Sequence, residues 1–263
     1  FTSVHLSQVD RWCRETAPAD VAFLEGSTPD EEGYMSFGAS GVALHTYVRQ
    51  DAKRTILQIN ANVPYVFGEE NRIHISQADA VGCGNTPLME DPGLDFSDTI
   101  QTISSYIIDQ IPDGACIQLG LGGVSNAVGY GLKGKNDLGA HSELMTDSIM
   151  ELMKLGVVNN SRKTWHQGQT VAAFSLGSAE LYRFIDHNPQ MYFMPFPLVN
   201  NPVNIAKNDN MISVNTALSI DLFGQVNADN FAGRQYSATG GQVDFVRGAQ
   251  MSRGGKSFLA ITS

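Results

Sequence analysis

Three short stretches of this sequence place reactive or ligand-seeking groups at spacings that chemistry can use. The first is Gly120-Leu121-Gly122-Gly123, directly after the apolar run Ala115-Cys116-Ile117-Gln118-Leu119. Glycines let backbone approach a ligand closely, and a helix beginning after them presents free N–H groups to an anion. The second is His141-Ser142-Glu143. On a strand, His141 and Glu143 share a face. A carboxylate just ahead of a helix N-terminus is favoured in its ionised form, which a nucleophile needs. The third is Gly240-Gly241-Gln242-Val243-Asp244-Phe245-Val246-Arg247-Gly248, where paired glycines again permit close approach and Arg247 offers a partner to phosphate.

Each stretch also has a plainer reading. The glycine run is equally a tight strand-to-helix turn with no ligand. Taken alone, Glu143 is more often a capping or solvent-facing residue, and the third stretch more often a hairpin entering a strand with Arg247 solvated. Gly120-Leu121-Gly122 also begins a dinucleotide fingerprint, although Ser125 stands where its third glycine or alanine belongs. Glu143 lies ~20 residues beyond, where that fingerprint wants an acid for the ribose. A nicotinamide-dinucleotide domain therefore competes with any other use of these loops. Metal chemistry has little support, with no HExxH and no clustered Cys/His set, and there is no GxSxG for a serine triad.

The elements around these stretches read as follows. Val21-Ala22-Phe23-Leu24 is expected to be a buried strand, Thr55–Ile59 a second and Arg72–Ile75 a third, with a polar turn at Pro29–Gly33. Gly82–Pro87 and Asp91-Pro92-Gly93 are rich in breakers and mark a boundary. Ser97 or Asp98 caps a helix whose apolar face includes Ile100, Ile103, Ile107 and Ile108. A strand at Ala115–Leu119, a helix capped by Ser125 and a helix from Thr146 or Asp147 to Leu155, stopped by Gly156, follow. Strand, glycine turn, helix, strand, helix is the grammar of a parallel α/β sheet. Ser257–Ile261 reads as a buried strand.

Composition narrows the partners. The chain has 263 residues, 17 basic against 27 acidic, for a formal net charge of −10. That balance makes a poor general binder of nucleic acid or anionic membrane, so anion contacts must come from local backbone N–H groups. No apolar run reaches the ~18 residues a membrane span needs. Cys13, Cys83 and Cys116 are isolated, which fits reduced thiols in a cytoplasmic protein. Asn159-Asn160-Ser161 matches a glycosylation pattern and is taken as chance. Phe1 begins the chain without a methionine, and the expectation is a fragment missing both ends.

Taken together, the three stretches resemble one family. Leu138-Gly139-Ala140-His141-Ser142-Glu143-Leu144 is similar to the segment of class I CoA-transferases of the acetyl-CoA hydrolase/transferase family, above all the 4-hydroxybutyrate and acetate enzymes, that carries their catalytic glutamate. Asp113–Gly122 is similar to that family's CoA-contacting strand and glycine loop, and Gly240–Phe245 to its second glycine motif. Pro29–Gly38, Val199-Asn200-Asn201-Pro202 and Lys207-Asn208-Asp209-Asn210 match as well. Where the family often has a proline after the glycine loop, this chain has Ser125.

The resemblance implies two open α/β domains of the CoA-transferase type with the active site between them. On that pattern residues 1–84 are the remainder of the N-terminal domain, 85–98 a linker and 99–263 the C-terminal domain. It implies Glu143 as the catalytic carboxylate that becomes a glutamyl-CoA thioester. Gln118, Leu119, Gly120, Leu121, Gly122, Gly240 and Gly241 would then bind CoA and supply oxyanion donors. CoA is a substrate, acyl-CoA and short carboxylic acids are the partners, and no metal or other cofactor is called for. A homo-oligomer, expected to be a homodimer, is implied, and hydrolysis of acyl-CoA by the same glutamate is the alternative activity.

Overall fold

The structure, a computed structural model, describes residues 2–91, 93 and 96–262. Phe1 and Pro92 lie outside the described residues.

After an amphipathic helix, α1 (Val9–Thr16), the strand β1 (Val21–Gly26) shows alternate burial. Ala22 and Leu24 face the core, whereas Val21 and Phe23 face outward, Phe23 with 74% of its surface exposed. The expectation of a wholly buried strand is corrected: period-two alternation puts only one face of this sheet on the core. β1 pairs in parallel with β2 (Arg54–Asn60), and β2 with β3 (Ala80–Gly84). β3 runs through Gly82-Cys83-Gly84, which the sequence presents as a break. As a largely exposed edge strand it has no need of an apolar face. Arg72–His74 is a strand as expected, but it joins Tyr34–Ser36 in a separate antiparallel pair.

A second sheet is built from β4 (Cys116–Leu119), β5 (Gly139–Ala140), β6 (Met211–Thr216) and β7 (Lys256–Ala260). Its order is β7-β6-β4-β5 and every pairing is parallel. The helix α2 (Asp98–Asp109) precedes β4, and the Ser97 hydroxyl caps it by accepting the Ile100 N–H at 3.3 Å. α3 (Gly123–Gly131) leaves β4 through the glycine turn. α4 (Asp147–Lys154) follows Glu143 closely, and Gly156, at φ 74°, ends that stretch. α5 (Gln242–Met251) lies between β6 and β7 in the chain. The Gly240–Gly248 stretch thus enters a helix and not a hairpin strand.

The second sheet does not stop at β5. A bridge from His141 to Val171 continues it into the parallel pair Thr170–Ala172 and Met191–Phe193, and a bridge from Phe193 to Gly68 reaches the first part of the chain. One buried apolar cluster runs from Ala22 and Leu57 through Ile117 and Val128 to Val214. The result is a mixed α/β architecture with parallel sheets, in which the loops leaving β4 and β5 emerge at one edge. Among the described residues no helix is long and apolar enough to cross a membrane.

Candidate active site

Parallel pairing is what brings Glu143 to the first glycine loop. Cys116 and Ile117 of β4 register with Gly139 and Ala140 of β5. One residue on, the His141 N–H donates to the Ile117 carbonyl at 3.1 Å. The Ser142 hydroxyl then donates to the Leu119 carbonyl at 3.3 Å. Glu143 follows, its own carbonyl accepting the N–H groups of Ala173 and Phe174 at 2.9 and 3.1 Å. The backbone of the glutamate is therefore held from both sides.

The outer edge of β5 is closed by side chains from the loop after Val158. Asn160 Oδ1 accepts the Ala140 N–H at 2.9 Å. Lys163 Nζ donates to the Ala140 carbonyl at 3.0 Å and to the Gln169 carbonyl at 2.7 Å. Lys163 is only 5% exposed, and burial pushes its ammonium down to about 8. Buried backbone groups need partners, and these two side chains satisfy them. The glycosylation-like pattern at Asn159 has its own local use, since Asn159 Oδ1 accepts the Ser161 N–H at 3.0 Å and forms a turn.

His141 and Glu143 both reach the neighbouring Val199-Asn200 segment, although they do not share a strand face: His141 makes an isolated bridge and Glu143 lies in a bend. His141 Nε2 donates to the Val199 carbonyl at 2.8 Å, and its Nδ1 accepts from Asn208 Nδ2 at 3.1 Å. Those partners fix the proton on Nε2. Burial pushes the imidazole down to about 3, so His141 is neutral and unsuited to proton transfer at neutral pH. Its contribution is to hold Val199. The next residue, Asn200, is fully buried and donates from Nδ2 to Glu143 Oε2 at 2.6 Å. Sequence reasoning placed Asn200 in a matching string but gave it no role; nothing local shows that it lies against a carboxylate 57 residues away.

Burial pushes the Glu143 carboxyl up to about 7. The Asn200 hydrogen bond opposes that shift and the charge of Asp244 adds to it. The expectation that a helix N-terminus keeps Glu143 ionised is corrected. α4 begins only at Asp147, and loss of hydration outweighs it.

Both glycine loops meet this carboxylate at a cavity of about 190 Å³. Gln118, Leu119, Gly120 and Leu121 line one side, Gly240 and Gly241 another, with Glu143 in the wall. The Gln118 and Asn215 side-chain amides pair reciprocally at 3.1 Å, and Ser213 Oγ donates to Gln118 Oε1 at 2.7 Å. Gly120 cannot serve as an oxyanion donor, because its N–H is committed to the Val214 carbonyl at 2.9 Å. Gly122 is outside the cavity wall. It occupies the N-cap position of α3 at φ 126°, and a Cβ there would lie 2.9 Å from Thr216 Oγ1. Ser125 is inside α3 and not its cap; its hydroxyl donates to the Val214 carbonyl at 3.3 Å, tying the helix to β6. Arg247 is exposed on α5 and does not line the cavity.

Gly241 is the closest approach of the second loop. A methyl group there would overlap Glu143 Oε2 and Asn200 Nδ2. At Gly122 the requirement is backbone conformation. Gly122→Ala is expected to cost roughly 1–3 kcal/mol of stability, the usual price of such a φ for a residue with a Cβ. Urea denaturation measures it, and an unchanged midpoint would show that the turn relaxes without strain.

The N-terminal domain of the acetyl-CoA hydrolase/transferase family matches residues 1–108, and the C-terminal domain of the same family matches residues 177–263. The chain is 41% identical over 263 residues to succinyl-CoA:cyclohexane-1-carboxylate CoA transferase of Geobacter metallireducens, covering 100% of this chain and 60% of that protein. It is 42% identical over 249 residues to 4-hydroxybutyrate coenzyme A transferase of Clostridium kluyveri, covering 94% and 57%. Among solved structures, RipA from Yersinia pestis superposes with a TM-score of 0.94 at 39% identity, over 98% of this chain and 59% of that one. A 4-hydroxybutyrate CoA-transferase from Porphyromonas gingivalis gives 0.87 at 37% identity, over 98% and 62%. The chain thus spans less than two thirds of the length of each of these proteins.

Proposed function

The chain belongs to the acetyl-CoA hydrolase/transferase family, and from that premise we propose that it moves CoA between a short-chain acyl-CoA and a carboxylic acid of the 4-hydroxybutyrate, butyrate or acetate class. One observation carries the reading: the Glu143 carboxylate stands in the wall of a small cavity at which both glycine loops converge. Relatives named as transferases acting on such acids support the substrate class. A dinucleotide-binding reading gives the second glycine loop no part, although that loop lies against the glutamate.

In this mechanism a Glu143 oxygen attacks the thioester carbonyl and CoA leaves as the thiolate, giving an acyl-glutamyl anhydride. The thiolate attacks the glutamyl carbonyl, the acid departs as carboxylate, and a glutamyl-CoA thioester remains. A second acid reverses the two steps and leaves as its CoA ester. No bond is oxidised or reduced, so CoA serves as substrate and the reading calls for no resident cofactor. The backbone at Leu121 and at Gly240-Gly241, which lines the cavity beside Glu143, is the candidate source of N–H donors to the tetrahedral oxyanions. The reading extends to a homo-oligomer in a reducing, cytoplasmic setting, with Cys13, Cys83 and Cys116 all unpaired.

The test is intact mass after mixing the full-length protein with acetyl-CoA, followed by exchange kinetics. A CoA adduct and parallel, ping-pong lines are expected. Intersecting lines would count against the proposal, and an adduct consumed by water faster than by high acetate would favour hydrolysis. Since burial pushes Glu143 up to about 7, adduct formation has an acid limb. The attacking form is the carboxylate, so the rate should rise about tenfold between pH 5 and 6 and level off above neutrality. A profile flat from pH 5 to 8 would contradict a desolvated nucleophile.

A further inference from the structure

Asp244 sits in the first turn of α5 and is 1% exposed, yet its carboxylate does not cap its own helix. Oδ2 accepts the Ser7 N–H at 3.0 Å and Oδ1 accepts the Ser7 hydroxyl at 2.7 Å, across 237 residues of chain. Ser7 belongs to the single 3₁₀ turn Leu6–Gln8. That turn packs on the short helix Phe196–Val199, which leads directly into Asn200. At the other end of the link, α5 has Gly241 at its N-cap position. The Ser7–Asp244 pair therefore joins the segment that carries Asn200 to the helix that carries Gly241, and both of those residues adjoin the Glu143 carboxylate.

We propose that Asp244 is a positioning residue for Glu143: bound to Ser7, it locks Gly241 and Asn200 around the glutamate carboxylate and holds a second negative charge beside it. The inference rests on the reading of Glu143 as the group that accepts CoA. An acid in the first turn of a helix is ordinary and favours the helix dipole. Full burial of that acid, with both oxygens given to a distant turn, is not needed for that purpose. Burial pushes the Asp244 carboxyl up from the usual carboxylate range, the two hydrogen bonds from Ser7 and the neighbouring His5 and Arg247 pull it back, and its charge opposes the ionisation of Glu143.

The two parts of the role separate experimentally in the full-length enzyme. Glu143–CoA adduct formation is followed by intact mass from pH 5 to 9 for the wild type, Asp244→Asn, Asp244→Ala and Ser7→Ala, with thermal melts alongside. Asp244→Asn keeps the shape and removes the charge. Its adduct still forms, and the midpoint of the acid limb moves down by roughly half a pH unit to one unit. Asp244→Ala releases the link, and the rate falls by about tenfold or more. Ser7→Ala slows the reaction without moving the midpoint. If Asp244→Ala does not fold, Asp244→Asn and Ser7→Ala still decide the matter. An unmoved midpoint in Asp244→Asn together with a wild-type rate in Ser7→Ala overturns the inference. A wild-type enzyme that never forms an adduct overturns instead the reading of Glu143 on which it rests.

Discussion

Glu143→Ala is expected to reduce CoA exchange by about 10⁴-fold or more, as removal of a covalent nucleophile typically does. The loss should not come from unfolding. Burial holds this carboxyl at about 7, so the folded protein pays to keep it ionised at neutral pH. Removing it leaves Asn200 Nδ2 without its partner, a cost of about 1–3 kcal/mol that the lost desolvation penalty offsets. The melting temperature of Glu143→Ala should therefore stay near that of the wild type while exchange disappears. Glu143→Gln keeps the shape and an oxygen to accept the Asn200 hydrogen bond, but it cannot form the thioester. Glu143→Asp retains the chemistry with its oxygens drawn back by one methylene, and a displacement of that order costs about 10²-fold. Borohydride should inactivate the wild type only after acyl-CoA is added. A tryptic map that puts the trapped group on another carboxylate, such as Glu151, would end this assignment.

Gly241→Ala is expected to cost about 10²–10³-fold in exchange with little loss of stability. The backbone at Gly241 has φ −98°, which alanine adopts freely, so no conformational strain enters. The added methyl instead occupies the space of Glu143 Oε2 and Asn200 Nδ2, and the carboxylate must move. Gly240 supplies the control. It has φ 61°, but a methyl group there meets nothing within 4 Å. Gly240→Ala should thus cost ~1–2 kcal/mol of stability and leave exchange within about tenfold of the wild type. If Gly241→Ala turns over normally, close approach at that glycine has no catalytic meaning.

What the sequence made legible is what chemistry writes locally. The glycine loop after β4, the Glu143 segment after β5 and the paired glycines before α5 each show their character within a few residues. Parallel α/β topology then places the first two at one sheet edge. The remainder depends on distant contacts. Asn200 becomes a site residue only because Val199 is held by His141, and Asp244 becomes one through Ser7 at the far end of the chain. β3 was hidden by its glycines, since an exposed edge strand carries no apolar alternation. The ionisation of Glu143 was expected with the wrong sign, because sequence shows a nearby helix but not the burial that overrides it.

The proposed function would set this protein among activated acyl groups, and Lys163 then has a consequence. Thioesters acylate amines without any catalyst, and the neutral amine is the form that reacts. With its ammonium pushed down to about 8, Lys163 is more often neutral at physiological pH than an ordinary lysine. By electronics alone it should be a favoured target of spontaneous modification. Yet its nitrogen is spent on the Ala140 and Gln169 carbonyls, and the side chain is 5% exposed. Chemical wear from acyl-CoA should therefore accumulate on solvent-facing lysines and spare the strand that carries the glutamate, and the protein can age on its surface while its centre stays unmarked.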